Sequence, residues 1–310
     1  DIVSAKAMVG ELSELGEITG DRYYWNNSMF SGMPWYLLNY GSHLNTSRHF
    51  RKVFELFTKA PIGFFFEGMI CCDLVLVLLS VNPWLGAAGS IAFALNTNFL
   101  VLWEAGHYNK VLVLVLFPLV VRGLLLPLRK KWFLGGALFA LGLSLTIGGG
   151  HIQMVYYMAM LLVLFYIIYA AMAYKTMGLQ NLLKASGVLL TAALLAAASN
   201  AGPLYSAKAF SDNTMRGEPI LQSEGPKKEA TSSSEVKGLE WNYAMNWSNG
   251  GADLWSLLIP RAVGGSSAEE MSTSTEVGRL LRQNGSPIGS DGTVQAPMYW
   301  GPLPFTSGPY

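Results

Sequence analysis

The chain has 310 residues, of which 13% are charged, about half the share of roughly 25% in ordinary globular proteins. The mean hydropathy is +0.32. A formal net charge of +1 and the lack of a basic stripe argue against a nucleic-acid partner. Apolar residues concentrate between positions 61 and 200, which is typical of a polytopic membrane protein with parts outside the bilayer.

This distribution predicts three parts. Residues 1–60 form a first loop outside the membrane, residues 61–200 form a transmembrane bundle of about six helices, and residues 201–310 form a further segment outside it. The chain opens on Asp1 and closes on "FTSGPY". We therefore expect it to be a piece of a longer protein.

The end of the first loop predicts an amphipathic helix on the outer leaflet. Residues 45–59 read "NTSRHFRKVFELFTK", with apolar side chains at helical spacing and cations opposite them. Arg48 and Arg51 belong to the polar face. They could bind a lipid phosphate or extend toward the headgroups, and both interpretations stay open.

Six apolar segments follow, and a membrane-spanning helix needs about 20 mostly apolar residues. The predicted spans are residues 61–81, 84–103, 110–127, 132–149, 152–173 and 184–200. Asp73 lies deep in the first of them. An acid at that depth predicts a polar partner or a cavity.

Cations in the short loops predict the orientation of the bundle, because such loops are enriched in lysine and arginine on the cytoplasmic side. Residues 129–131 read Arg-Lys-Lys, and Lys175 and Lys184 accompany a second loop on the same side. The short loops of the other side contain Lys110 alone. We therefore expect the turns at 104–109 and 148–151 to face the outside.

Polar residues gather at these outer turns. Glu104, His107 and Lys110 belong to "EAGHYNK", and His151 and Gln153 belong to "GGGHIQ". A carboxylate there could act as a general base, and a histidine could stabilise a leaving phosphate. The same groups could bind a cation, form the polar relay of a transporter, or cap helix ends. No ligand set is complete enough to predict a divalent cation or another cofactor.

The last hundred residues contain tryptophans in a polar context. Trp247 lies between Trp241 and Trp255 in "LEWNYAMNWSNGGADLWSLLIP". Indole rings stack on sugars and also lie well at the membrane interface, so both roles stay open.

Five stretches carry a family resemblance: "GDRYYWNNSMFSGMPWY", "NTNFLVLWEAGHYNKVLVLVLFPLV", "GGGHIQMVYYMAMLLVLFY", "WSLLIPRAVGG" and "YWGPLPFTSGPY". In this order they resemble signature stretches of the YfhO-type bacterial membrane protein family, which is similar to the C-type (GT-C) glycosyltransferases. The resemblance implies an all-α polytopic bundle of the GT-C kind with extracytoplasmic loops. It also implies a first helix before Asp1 and further helices after Tyr310.

The resemblance further implies an activity. A sugar would move from a polyprenyl-phosphate donor to a cell-envelope glycan or lipid acceptor, on the extracytoplasmic face of the bacterial cytoplasmic (inner) membrane. Asp1, Glu104 and His107 would be catalytic, with the aspartate as general base. The candidate substrate-binding residues are His151, Gln153, Lys110, Arg48, Arg51 and Trp247. A transporter or lipid flippase with a polar outer cavity is the main alternative, and a non-catalytic scaffold is another.

Overall fold

The computed structural model describes residues 2–21, 23–27, 32–37, 61–104, 106–211, 241, 245, 250–257, 259, 261–265 and 268–299. The amphipathic helix predicted for residues 45–59 lies outside these ranges. The chain divides into two compact units, residues 1–210 and residues 211–310.

The first unit is mostly helical. Its helices are α1 (Ile2–Thr19), α2 (Ile62–Leu78), α3 (Pro83–Ala94), α4 (Thr97–Glu104), α5 (Tyr108–Leu128), α6 (Trp132–Gly148), α7 (Ile152–Met177), α8 (Leu179–Ser199) and α9 (Ala201–Ser211). One antiparallel pair, β1 (Trp25–Asn26) with β2 (Met33–Pro34), follows α1 and leads into a short 3-10 helix at Trp35–Leu37.

Within the described residues, four helical segments are long and apolar enough to cross a membrane: Pro83–Trp103, Tyr108–Leu128, Ile152–Met177 and Leu179–Ser199. The prediction of a mostly helical chain with apolar helices able to cross a membrane is confirmed. Each predicted span coincides with one helix, except that the second coincides with α3 and α4 together; α2 and α6 have 17 residues each. They are therefore slightly shorter than the roughly 20 residues of a typical span.

The second predicted span is interrupted between α3 and α4. The side chain of Asn96 lies at the interruption, where its Oδ1 accepts a hydrogen bond from the N–H of Phe99 at 3.0 Å. Its Nδ2 donates to the carbonyl of Phe93 at 2.6 Å. The Asn96 amide therefore satisfies backbone groups at the end of one helix and the start of the next.

Helix α5 forms the centre of the bundle. Its most apolar window is 78% buried, against 17% for the windows of α7 and α8. One cluster of buried apolar side chains joins α5 to α6, α7 and α8, and a second joins α5 to α2, α4 and α6. Helices α7 and α8 therefore expose most of their apolar surface, as lipid-facing helices do.

Glycines allow α5 and α6 to pack closely. A Cβ atom at Gly123 would lie 2.4 Å from the backbone nitrogen of Phe139, and one at Gly135 would lie 2.2 Å from Cδ of Pro127. Neither position has room for a side chain. Small residues commonly let membrane helices approach in this way.

The contacts between α5 and α6 also fix the ends of the bundle. Gly149, just after α6, packs against Val113 near the start of α5, whereas Gly135 packs near its end. The two helices are therefore antiparallel. The α4–α5 and α6–α7 turns consequently lie at the end of the bundle opposite the α5–α6 turn, which carries residues 129–131.

A buried amide joins α6 to α8 at the end of the bundle that carries the α6–α7 turn. Asn200, directly after α8, is fully buried, and its Nδ2 donates to the carbonyls of Ser144 and Ala196 at 3.1 and 3.0 Å. The hydroxyls of Ser144 and Ser199 lie 2.6 Å apart. This polar network joins the last turns of α6 and α8.

The second unit contains a small sheet and a helix. Strands β3 (Glu269–Ser272) and β4 (Thr293–Ala296) pair antiparallel, and α10 (Glu276–Gln283) lies between them in sequence. A 3-10 helix covers Gly251–Leu257. The expectation of an all-α chain did not include the two small sheets, which are too short to produce an alternating hydrophobic pattern.

Candidate functional site

The turn between α4 and α5 presents His107. Gly106 adopts φ +83°, a conformation that suits glycine, and the N–H of His107 donates to the carbonyl of Leu102 at 2.8 Å. The carbonyl of His107 in turn accepts from the N–H groups of Lys110 and Val111, at 3.0 and 3.2 Å. His107 therefore marks the start of α5, with Lys110 in its first turn.

Aromatic rings anchor this turn. The ring centroids of Trp103 and Tyr108 lie 4.2 Å apart, and the ring of Phe64 on α2 meets Trp103 edge-on at 5.3 Å. Such pairs are favourable beyond the area they bury. They hold the residues on both sides of His107 against the bundle.

The turn between α6 and α7 presents His151 at the same end. Gly150 has φ +77°, and a Cβ atom there would lie 3.3 Å from the side-chain nitrogen of Asn109. The glycine turn therefore packs directly on the first turn of α5. This contact brings His151 to the neighbourhood of His107 and Lys110.

The three side chains are close enough to influence one another's charge. Burial lowers the pKa of His151, and the nearby charges of Lys110 and His107 lower it further. Burial and Lys110 likewise lower the pKa of His107. Both imidazoles are therefore largely neutral near pH 7, and Lys110 carries the positive charge of the cluster.

One ring atom of the cluster lacks a hydrogen-bond partner. Nδ1 of His151 is buried and unpaired within the described part of the chain. Over those same residues, Lys110 forms no ion pair. A neutral imidazole offers one donor and one acceptor, so the cluster combines a cation with unsatisfied hydrogen-bonding capacity. This combination suits an anionic, hydrogen-bonding ligand such as a phosphate.

The structure thus brings together His107, Lys110 and His151. Gln153 is exposed in the first turn of α7, and its Nε2 donates to the hydroxyl of Tyr157 at 2.9 Å. Glu104 is the last residue of α4, but its side chain lies outside the described atoms. The remaining candidates also lie outside the described residues: Asp1, Arg48, Arg51 and Trp247.

Sequence reasoning missed Asn109. The sequence did contain two indications of its role: Asn109 lies between His107 and Lys110, and a run of three glycines precedes His151. Only the packing of the glycine turn on α5 makes it part of the cluster.

Asp73 lies elsewhere. It belongs to the second half of α2, and its Oδ1 would be 3.3 Å from a Cβ atom at Gly86, in the first turns of α3. A carboxylate near a helix N-terminus is favourable because of the helix dipole. The polar environment expected for Asp73 is therefore the start of α3, not the cluster around His151.

Arg122 was not assigned a role from the sequence, and Arg129 was used only to predict the orientation of the bundle. Arg122 donates from Nη1 to the carbonyl of Leu74, and Arg129 donates to the carbonyl of Leu78. Both carbonyls belong to the last turns of α2, where cations interact favourably with the helix dipole. The contact with Leu74 satisfies Nη1 of Arg122, whereas its Nε is buried without a partner among the described residues.

No group of three or more His, Cys, Asp or Glu residues suited to a metal ion occurs within the described ranges. The fold and the cluster define a class of protein: a mostly helical chain with apolar helices able to span a membrane, and with a basic, histidine-containing cluster where two turns meet at one end of its bundle. No family model, curated protein or solved structure matches the chain.

Proposed function

We propose that this protein is a membrane glycosyltransferase. It transfers a sugar from a polyprenyl-phosphate donor to a glycan or lipid acceptor of the cell envelope, on the extracytoplasmic face of the bacterial cytoplasmic membrane. The observation that carries the proposal is the cluster of His107, Lys110 and His151 at one end of an apolar bundle. The family resemblance of the sequence adds the sugar chemistry.

The position of the cluster suits a lipid-linked phosphate. The end of a membrane-spanning bundle meets the acyl chains and the water, and a polyprenyl phosphate has one part in each. Lys110 supplies a positive charge, and the imidazoles of His107 and His151 supply hydrogen bonds. Groups placed in this way stabilise a departing phosphate more strongly in a partly dry site than in water.

In the proposed reaction, the acceptor hydroxyl oxygen bonds to the anomeric carbon of the sugar while the bond from that carbon to the phosphate oxygen breaks. The phosphate leaves with the electron pair, and a carboxylate takes the hydroxyl proton. Asp1 is the proposed base, and Glu104 is a second proposed catalytic carboxylate. The support for Glu104 is its position at the end of α4, three residues before His107.

A second candidate function is transport, and one observation favours it. The span Pro83–Trp103 is interrupted at Asn96, and transporters commonly bind substrates where a helix is broken. Such transporters have matching interruptions in two related halves, whereas the other three described spans are continuous helices. Transport therefore ranks below glycosyl transfer.

The test uses the protein in proteoliposomes with a radiolabelled polyprenyl-phosphate sugar and a cell-envelope acceptor fraction. We expect Lys110→Met and His151→Gln each to reduce transfer by about tenfold or more, since each removes part of the phosphate site. Asp1→Asn and Glu104→Gln should abolish transfer if these carboxylates are catalytic.

Lys175→Met is the matched control, because Lys175 lies in the last turn of the helix that His151 begins. It should transfer sugar at the wild-type rate. Full activity of both Lys110→Met and His151→Gln would contradict the proposed site. Gradient-dependent uptake into sealed vesicles, without formation of a glycosidic bond, would favour the transporter.

A further inference from the structure

We propose that the second unit docks onto the lipid–water interface of a membrane through Leu254, Trp255 and Ile259, which together we call the docking surface. These side chains are 58%, 59% and 55% exposed, respectively. The inference goes beyond the proposed function and does not depend on it.

The 3-10 helix Gly251–Leu257 holds the docking surface in place. Asp253 on this helix is only 4% exposed, and its carboxylate accepts hydrogen bonds from the N–H of Gly250 at 2.6 Å and the hydroxyl of Tyr299 at 3.0 Å. A 3-10 helix has three residues per turn, so fixing one residue inward directs the next two outward. The exposure of Leu254 and Trp255 is thus built into the fold of the unit.

The composition of this region suits a membrane interface. Residues 250–265 read "GGADLWSLLIPRAVGG" and contain two charged residues, Asp253 and Arg261. Asp253 is buried, whereas the side chain of Arg261 is 64% exposed beside its ion-pair partner Glu269. The stretch therefore presents apolar side chains to the solvent, and its one exposed charged residue, Arg261, is paired with Glu269.

Tryptophan strengthens the assignment. Its indole ring is largely apolar and carries one N–H donor, and for that reason it is enriched at membrane interfaces. Leu254 and Ile259 add side chains that gain free energy on leaving water. An apolar group of this kind on a water-exposed unit commonly marks an interaction surface.

The second unit is covalently linked to helices able to span a bilayer, so a membrane is the partner that we assign to the docking surface. The first unit of the same chain carries four segments able to span a bilayer. The segment between Ser211 and Gly251 cannot exceed about 140 Å even when fully extended, because one residue spans at most about 3.6 Å. A covalent tether of this kind gives the lipid surface a high effective concentration.

The experiment places an environment-sensitive fluorophore on single cysteines of the full chain. Cys71→Ala and Cys72→Ala remove the native thiols, and Leu254→Cys or Ile259→Cys places the label on the docking surface. The matched controls are Leu280→Cys and Ile288→Cys, at positions that are 56% and 49% exposed. Each protein is reconstituted as one copy per phosphatidylcholine nanodisc, which prevents contact with a second copy.

On the docking surface, we expect quenching by doxyl groups on the lipid chains and at least a threefold lower sensitivity to aqueous iodide than at Leu280 or Ile288. Equal iodide quenching at all four positions would overturn the proposal. Shielding from iodide without doxyl quenching would also overturn it, because protein rather than lipid would then cover the surface.

A further variant tests the apolar driving force. A label at Trp255→Cys should show doxyl quenching in the otherwise native surface and lose at least half of it when Leu254→Gln and Ile259→Gln are added. Both substituted positions are exposed, so the bonds of Asp253 to Gly250 and Tyr299 should persist. Unchanged quenching would show that the apolar side chains do not drive docking.

Discussion

His151 has a half-buried imidazole whose Nδ1 lacks a partner in the described residues, next to the charge of Lys110. A buried polar atom left unsatisfied costs about 1–3 kcal/mol, and native proteins rarely retain such a cost without a reason. A ligand that bonds to this nitrogen would recover that free energy. The unpaired nitrogen of His151 therefore supports the proposed role of the cluster in binding a phosphate.

The histidines make stability depend on pH. The pKa of both His107 and His151 is lowered from its ordinary value of 6.5, so the unfolded chain binds more protons than the folded chain below that pH. Their contribution to stability is complete above about pH 6.5 and is lost as the pH falls through the folded values. We expect the thermal unfolding temperature in detergent to decrease between about pH 7 and pH 5.

The double variant His107→Gln/His151→Gln is the control for this prediction. It removes the titrating rings, so its unfolding temperature should depend less on pH over the same range. An undiminished pH dependence in the variant would assign the effect to other groups.

At the scale of residues, the sequence predicted the cluster only in part. The cations of the short loops placed His107, Lys110 and His151 at one end of the bundle, and the structure brings them together. Asn109 was not predicted as part of the cluster, because its role depends on the close packing of Gly150 on its amide. Residue spacing does not encode such a tertiary contact. For Asp73, depth in a span predicted a polar environment but could not identify the first turns of α3 as its source.

At the scale of elements, the packing of α5 on α6 depends on glycine. Gly123→Ala would place a Cβ atom 2.4 Å from the backbone nitrogen of Phe139, and a backbone atom cannot move aside without shifting its helix. We expect a loss of about 1–3 kcal/mol or more in the free energy of unfolding. Thermal unfolding of the purified protein in detergent measures the effect.

Gly187→Ala is the matched control. It also adds one methyl group to a helical glycine, but nothing lies within 4 Å of the new atom. Alanine favours a helix over glycine by up to about 1 kcal/mol, so this variant should be as stable as the wild type or more so. If Gly123→Ala behaved in the same way, the close approach of α5 and α6 would be wrong.

The interruption between α3 and α4 gives another prediction. Asn96→Ala removes the acceptor for the N–H of Phe99 and the donor to the carbonyl of Phe93. Loss of a helix-capping side chain costs about 0.5–2 kcal/mol, so the amide of Phe99 should exchange with deuterium faster. Hydrogen exchange with mass spectrometry detects the change.

Asn98→Ala is its control, since Asn98 is exposed two residues later. It should leave exchange at Phe99 close to the wild-type rate. Equal exchange in both variants would show that Asn96 does not organise the interruption.

The apolar runs predicted where helices occur, because a long apolar segment in a membrane protein has few other conformations open to it. They could not predict the interruption at Asn96. The hydropathy of a whole window hides one polar tripeptide, and the interruption depends on hydrogen bonds made by a single amide. The small sheets were not predicted either, because strands of two to four residues are too short to show an alternating pattern.

At the scale of the whole molecule, the loop cations predict that residues 129–131 face the cytoplasm and that the His151 cluster faces outward. Cysteine labelling in intact bacterial cells tests this orientation. In a chain without Cys71 and Cys72, a membrane-impermeant maleimide should label Asn109→Cys directly and Lys130→Cys only after permeabilisation. The opposite pattern would place the cluster on the cytoplasmic face and contradict an extracytoplasmic transferase.

The burial of α5 has a consequence for biosynthesis. Of the four spans in the described residues, α5 is the most apolar, although its neighbours bury most of it. A helix in such a place needs apolar packing but gains little from so strong an affinity for lipid. During synthesis, however, α5 leaves the ribosome before α6, α7 and α8 exist, and it must enter the bilayer without their cover. Its high hydropathy therefore favours insertion of the nascent segment into the bilayer at the stage when no later helix covers it.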